Sequence, residues 1–70
     1  MKIAIIGVGN LGYSIAVGIL GQKKEINCKS LYLTKRNTAS LSHLEKVSMV
    51  KTTTDNRRAV KYSNVIILAV

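Results

Sequence analysis

The chain has no phenylalanine, no tryptophan and no proline, a single cysteine, a single histidine and only three acidic residues. Each shortage excludes something. Three tyrosines are too few for the stacking platforms that hold single-stranded nucleic acid. Cys28 has no partner for an internal disulfide, and with His43 alone there is no Cys/His set at zinc spacing. The two staples that rescue small secreted domains are therefore missing. No proline linker, internal repeat or low-complexity tract divides the 70 residues, which leave room for one small domain. A chain of this size buries only about 60% of the surface its unfolded form exposes, so its fold is marginal. Apolar matter is what the sequence has: it is 47% hydrophobic, too much for a disordered tail even at a net charge of +8.

The apolar residues begin at once. From Ile3 to Gly21 the only polar side chains are Asn10, Tyr13 and Ser14, and Lys2 in front of them imitates a signal peptide. All five glycines fall in this stretch, however, at positions 7, 9, 12, 18 and 21. A spanning helix needs about 20 mostly apolar residues in one continuous element, and Gly7-Val-Gly-Asn10 breaks it early. The reading is a soluble, cytoplasmic protein with no membrane partner.

Lys2–Ile6 is an apolar run too short for a helix and fits a strand buried on both faces. Leu11–Leu20 reads as a helix, with Leu11, Ile15 and Ile19 spaced four apart on one face and Gly21 as its stop. Ser30–Thr34 alternates and is rich in strand formers. Thr38 is expected to cap a short helix through Lys46, Ser48–Thr52 to form a weaker third strand, and Asp55 to cap a helix over Asn56–Tyr62. Val65–Val70 is the strongest strand pattern of all.

This alternation predicts an α/β fold: a Rossmann-type parallel sheet of four strands with crossover helices, the first strand central and the fourth beside it. Four strands make an incomplete doubly wound domain. The sequence stops on its most apolar strand, and an uncovered apolar edge is a pairing hazard. Residues 1–70 are accordingly expected to be the N-terminal part of a longer protein.

Between the first strand and the first helix lies Gly7-Val-Gly-Asn-Leu-Gly12, a complete G-x-G-x-x-G. Gly7 permits the tight turn out of the strand, Gly9 leaves room for a pyrophosphate against the backbone, and Gly12 lets the helix pack close to the sheet. Free N–H groups at the helix start and the positive end of its dipole favour phosphate. The strand–turn–helix context, with a second strand about twenty residues later, raises the motif above a chance glycine hexapeptide. An NAD-binding unit carries Asp or Glu at the tip of its second strand for the ribose 2′-hydroxyl. Here that stretch is Thr34-Lys-Arg-Asn37, without an acid. Arg36 offers a planar fork and Lys35 a point charge, which suit a 2′-phosphate, so the cofactor read from these residues is NADP(H).

The segment Gly7-Val-Gly-Asn-Leu-Gly-Tyr-Ser-Ile-Ala-Val-Gly-Ile-Leu20, together with Thr52–Asn56 and Asn64–Val70, resembles the opening of pyrroline-5-carboxylate reductase. The resemblance implies cofactor contacts at the glycine turn (Ile6, Gly7, Val8, Gly9, Asn10, Leu11 and Gly12), the loop after the second strand (Thr34, Lys35 and Arg36), Asn56, and Ala69 and Val70. It implies reduction of the C=N bond of 1-pyrroline-5-carboxylate to L-proline, hence an enzyme of proline biosynthesis. A small imine substrate site and a homo-oligomerising helical region would lie beyond residue 70. None of the 70 residues is then a catalyst or a metal ligand, and the chain alone would bind cofactor without turnover. The runner-up is another NADP-dependent reductase, of ketopantoate or imine reductase type.

The remaining singletons have plain readings. His43 is a surface histidine without an Asp, Glu, Ser or Cys partner at useful spacing. Cys28 is a free thiol whose neighbour Lys29 would lower its pKa somewhat. Tyr13 either packs over the cofactor or covers the sheet. A rival from another class is a basic nucleic-acid-binding module. Lys23, Lys24, Lys29, Lys35 and Arg36 face only Glu25 within residues 23–38, but Arg57, Arg58 and Lys61 fall on a different helix. Charge so dispersed does not make one recognition element, and no nucleic-acid partner is expected.

Overall fold

The computed structural model describes residues 1–69. The elements run β1 (Lys2–Ile6), α1 (Asn10–Gly21), β2 (Ser30–Thr34), two 3-10 turns (Thr38–Leu41 and Leu44–Lys46), β3 (Val50–Thr53), α2 (Asn56–Lys61) and β4 (Val65–Leu68). The strands form one sheet in the order β3-β2-β1-β4, every neighbouring pair parallel. Ile3 lies beside Leu31 on one side and Val65 on the other. This is the α/β Rossmann-like arrangement, with the first strand inside and the fourth against it.

β1 is interior, and its residues Ile3 to Ile6 are all buried, as the unbroken apolar run requires. Ile3 and Ile5 face the larger core with Val8, Ala16, Leu31, Leu33, Leu41, Leu44 and Val50, while Ala4 and Ile6 meet Ala59 of α2 on the opposite face. The face of α1 turned to the sheet differs from the expected one. Its fully buried members are the small Gly12 and Ala16, with Ile15 and Ile19 packed beside them. Leu11, placed on that face by its spacing, is 64% exposed. Small residues let the helix axis approach the strands, and a leucine in that row would hold it off.

Two further expectations need correction. The segment 38–46 is not a helix but two 3-10 turns, and its cap is Asn37 rather than Thr38: Asn37 Oδ1 accepts from the Ala39 N–H at 3.0 Å. Leu41 closes the first turn and Leu44 opens the second, and both are buried. The third strand starts at Val50 instead of Ser48, because the turn Val47–Val50, closed by the Val50 N–H on the Val47 carbonyl, occupies the positions before it. α2 starts where expected: Asp55 Oδ1 accepts from the Arg57 and Arg58 N–H groups at 3.0 and 3.4 Å. β4 ends at Leu68, after which the Ala69 N–H still donates to the Ile6 carbonyl. Val70 lies outside the described residues. Among those residues, no helix is long and apolar enough to cross a membrane.

Cys28 is buried beside Ser30, to whose carbonyl its thiol donates. Burial pushes the thiol above its ordinary 9.0, outweighing the lowering pull of the N-terminal ammonium and of the Ser30 backbone. The expected lowering by Lys29 is therefore reversed. A raised folded value means the fold favours the neutral thiol. That stabilisation is complete below the unfolded pKa and is lost as pH rises through the folded one. Urea midpoints of the parent chain should fall relative to those of Cys28→Ala above about pH 9. Parallel pH curves for the two proteins would sink this assignment.

Candidate cofactor-binding site

The site is built at the carboxyl ends of the strands. Gly7 leaves β1 with φ of 78°, a conformation that costs a side-chain-bearing residue strain and glycine nothing. The turn is pinned from β2: the Gly7 N–H donates to Thr34 Oγ1 at 3.0 Å and the Val8 N–H to the Thr34 carbonyl at 2.8 Å. The chain then enters α1, with the Tyr13 N–H donating to the Gly9 carbonyl at 2.8 Å. Gly9 caps the helix without a side chain, and the first turn holds no acid. The leading N–H groups of α1 thus have no side-chain acceptor and no repelling carboxylate beside them.

The three glycines of the motif differ in what requires them. Gly7 is required by its dihedral. At Gly12 a Cβ would sit 3.2 Å from Ala69 Cβ, 3.4 Å from Ile5 Cγ2 and 3.5 Å from Val8 Cβ, so the helix is as near the sheet as backbone allows. At Gly9 a Cβ would meet no protein atom within 4 Å. Nothing in the fold needs that space, and a phosphate approaching the backbone would.

A cleft of about 370 Å³ beside the turn is lined by Gly7, Thr34, Lys35, Arg36, Thr54 and Asn56. β1, β2 and the segment joining β3 to α2 each contribute. Thr34 is 1% exposed with its hydroxyl bonded to Gly7, so its place is beneath the turn, shaping it. Lys35 Nζ donates to Ser40 Oγ at 2.9 Å. Arg36 is exposed, and among the described residues its side chain has no hydrogen bond or ion pair. The chain's acids are elsewhere: Glu45 accepts from the Thr52 hydroxyl, Asp55 caps α2, and Glu25 precedes β2.

Of the other residues named from the sequence, Asn10 and Leu11 are exposed at the start of α1, while Ile6 and Val8 bury their side chains in the core and offer only backbone. Ala69 is buried against the Gly12 position. Val70 is again outside the described residues. Thr54 was not anticipated; its signal was its place in the run of threonines leaving β3. A larger depression of about 450 Å³ runs between Tyr32, Glu45, Lys51, Thr52 and Arg58. It touches none of the glycine-turn residues and lacks their phosphate-directed features. Among the described residues, no three His, Cys, Asp or Glu side chains gather to hold a metal.

A parallel sheet, a glycine turn opening a helix at its carboxyl end and a cleft across the neighbouring loops define an NAD(P)-binding Rossmann-like unit. Residues 2–70 match the family model described as NADP oxidoreductase, coenzyme F420-dependent, and the chain belongs to that family. No match was found among curated proteins, nor among solved structures.

Proposed function

We propose that this chain is the N-terminal, NADP(H)-binding part of a reductase that converts the C=N bond of 1-pyrroline-5-carboxylate to L-proline. The observation that carries the cofactor choice is the cleft's pair of cations, Lys35 and Arg36, at the end of β2 with no carboxylate among its lining residues. A 2′-phosphate placed there gains charge-assisted hydrogen bonds, whereas a 2′-hydroxyl finds no acceptor carboxylate. The residues fit the rest of the dinucleotide as well: the open face of Gly9 and the bare N-terminus of α1 suit a pyrophosphate, and Asn56 lines the same cleft as Gly7.

Within this reading the chain's own residues bind and orient. The α1 N–H groups neutralise the pyrophosphate, Arg36 grips the 2′-phosphate, and Lys35 adds charge while held by Ser40. The bound nicotinamide supplies the hydride. The imine site, the catalytic groups and the subunit contacts are assigned to a region beyond residue 70. Support for the imine substrate comes from the resemblance of residues 7–20, 52–56 and 64–70, and from the family, which includes pyrroline-5-carboxylate reductases.

Titration of the chain with NADPH and NADH, followed by nicotinamide fluorescence, tests the cofactor choice. NADPH should bind at least about tenfold more tightly, the worth of one charge-assisted hydrogen bond. Equal affinities would refute the phosphate site. On a polypeptide extended past residue 70, NADPH oxidation that fails to depend on 1-pyrroline-5-carboxylate would remove the substrate assignment.

A further inference from the structure

Two side chains that play no part in this scheme are joined across 30 positions of sequence. The Tyr13 hydroxyl and His43 Nε2 share a hydrogen bond of 2.7 Å, with ring centroids 5.6 Å apart and the planes tilted by 42°. Tyr13 follows Gly12 on α1, and His43 lies between the two 3-10 turns. Both are exposed, so core packing does not account for the pair.

Its meaning lies in the loop it closes. Residues 35–42 carry Lys35 and Arg36 into the cleft. The loop begins at Thr34, which accepts from the N–H groups of Gly7 and Val8. It ends at His43, which meets Tyr13. Both ends are therefore attached to the same unit, the glycine turn and the helix it opens. Inside the loop, Lys35 bonds to Ser40 and Asn37 caps the first 3-10 turn. Leu41 and Leu44 anchor the segment from below, through the core. The Tyr13–His43 bond ties its outer side to α1. Either imidazole tautomer satisfies the bond, and an imidazolium would donate to the phenol oxygen, so the link does not depend on one protonation state.

We propose that Tyr13 and His43 are positioning residues for the loop 35–42, holding Lys35 and Arg36 at the cleft before cofactor arrives and so setting the preference for a 2′-phosphorylated dinucleotide. The inference rests on the NADP(H) reading above. Its physical basis is preorganisation: a loop already ordered loses less freedom when the phosphate binds.

The parent chain, Tyr13→Phe, His43→Ala, His43→Gln and the Tyr13→Phe/His43→Ala double variant should each be titrated with NADPH and NADH, with a thermal melt of each protein as the folding control. Tyr13→Phe and His43→Ala should each weaken NADPH by about three- to tenfold, the worth of one hydrogen bond, while NADH is unchanged. The double variant should be no worse than either single one, because both remove the same bond. His43→Gln, whose amide can still reach the phenol, should recover part of the preference. Equal losses for both cofactors, losses that add in the double variant, or a full preference kept by Tyr13→Phe would overturn the positioning role. Absence of any NADPH preference in the parent chain would instead overturn the phosphate reading, and this inference with it.

Discussion

Replacing Gly12 by valine is expected to abolish the cooperative unfolding transition of this chain at 25 °C, or to reduce it to a remnant. The position is the point of closest approach between α1 and the sheet. Even the single carbon of alanine would stand 3.2 Å from Ala69 Cβ and 3.4 Å from Ile5 Cγ2. Ala69 and Val8 present β-carbons, which move only if the backbone moves. Alanine gains roughly 1 kcal/mol of helix propensity over glycine, which offsets a shift of a few tenths of an ångström. Valine gains less and adds two γ-carbons with nowhere to go. Overpacking of this kind costs about 1–3 kcal/mol and sometimes more, and a domain below about 70 residues has only about 3–5 kcal/mol in total. Urea or thermal unfolding followed by circular dichroism reads the effect directly. A Gly12→Val protein melting within a few degrees of its parent would show that α1 is not held against the sheet as described.

Arg36→Ala should weaken NADPH binding by about ten- to a hundredfold, corresponding to the loss of a charge-assisted hydrogen bond of about 1.5–3 kcal/mol. NADH binding should stay as it is, and so should the melting temperature, because the guanidinium is exposed and unpaired among the described residues. That separation gives the test its force. A variant that loses both cofactors alike, or melts early, would move Arg36 from the phosphate site to the structure of the loop. Lys35→Ala should do less, since the Lys35 ammonium is already engaged by Ser40 and needs only to contribute its charge.

The sheet was legible because its signal is local and redundant. β1, β2 and β4 are short apolar runs bounded by glycine or polar residues, and their alternation with helical spacing leaves few topologies. The segment 38–46 reads as a helix in sequence because Thr38 has the chemistry of a helix cap. Leu41 and Leu44 of these turns are buried in the larger core, a tertiary fact that no local pattern announces. Leu11 was placed on the buried face by a four-residue count that could not know how near α1 comes to the strands.

The candidate site divides the same way. Gly7, Gly9 and Gly12 were readable because each does something a backbone dictates, and Lys35-Arg36 because charge is visible where an acid is missing. The structural task of Thr34 was not readable: it is a hydrogen bond to a residue 27 positions earlier. Nor was the pairing of Tyr13 with His43, since neither carries a local pattern that announces the other.

That bond from Thr34 has a consequence for how the site comes into being. The glycine turn has no scaffold of its own. Its shape depends on β2 lying alongside β1 and, through the Ala69 N–H on the Ile6 carbonyl, on β4 having arrived from the other side. An unfolded or half-assembled chain therefore offers a dinucleotide no partial welcome. Ligand then adds its binding free energy wholly to the native state, by about 2.7 kcal/mol at a hundred times the dissociation constant. For so small a sheet that would be a large fraction of its stability.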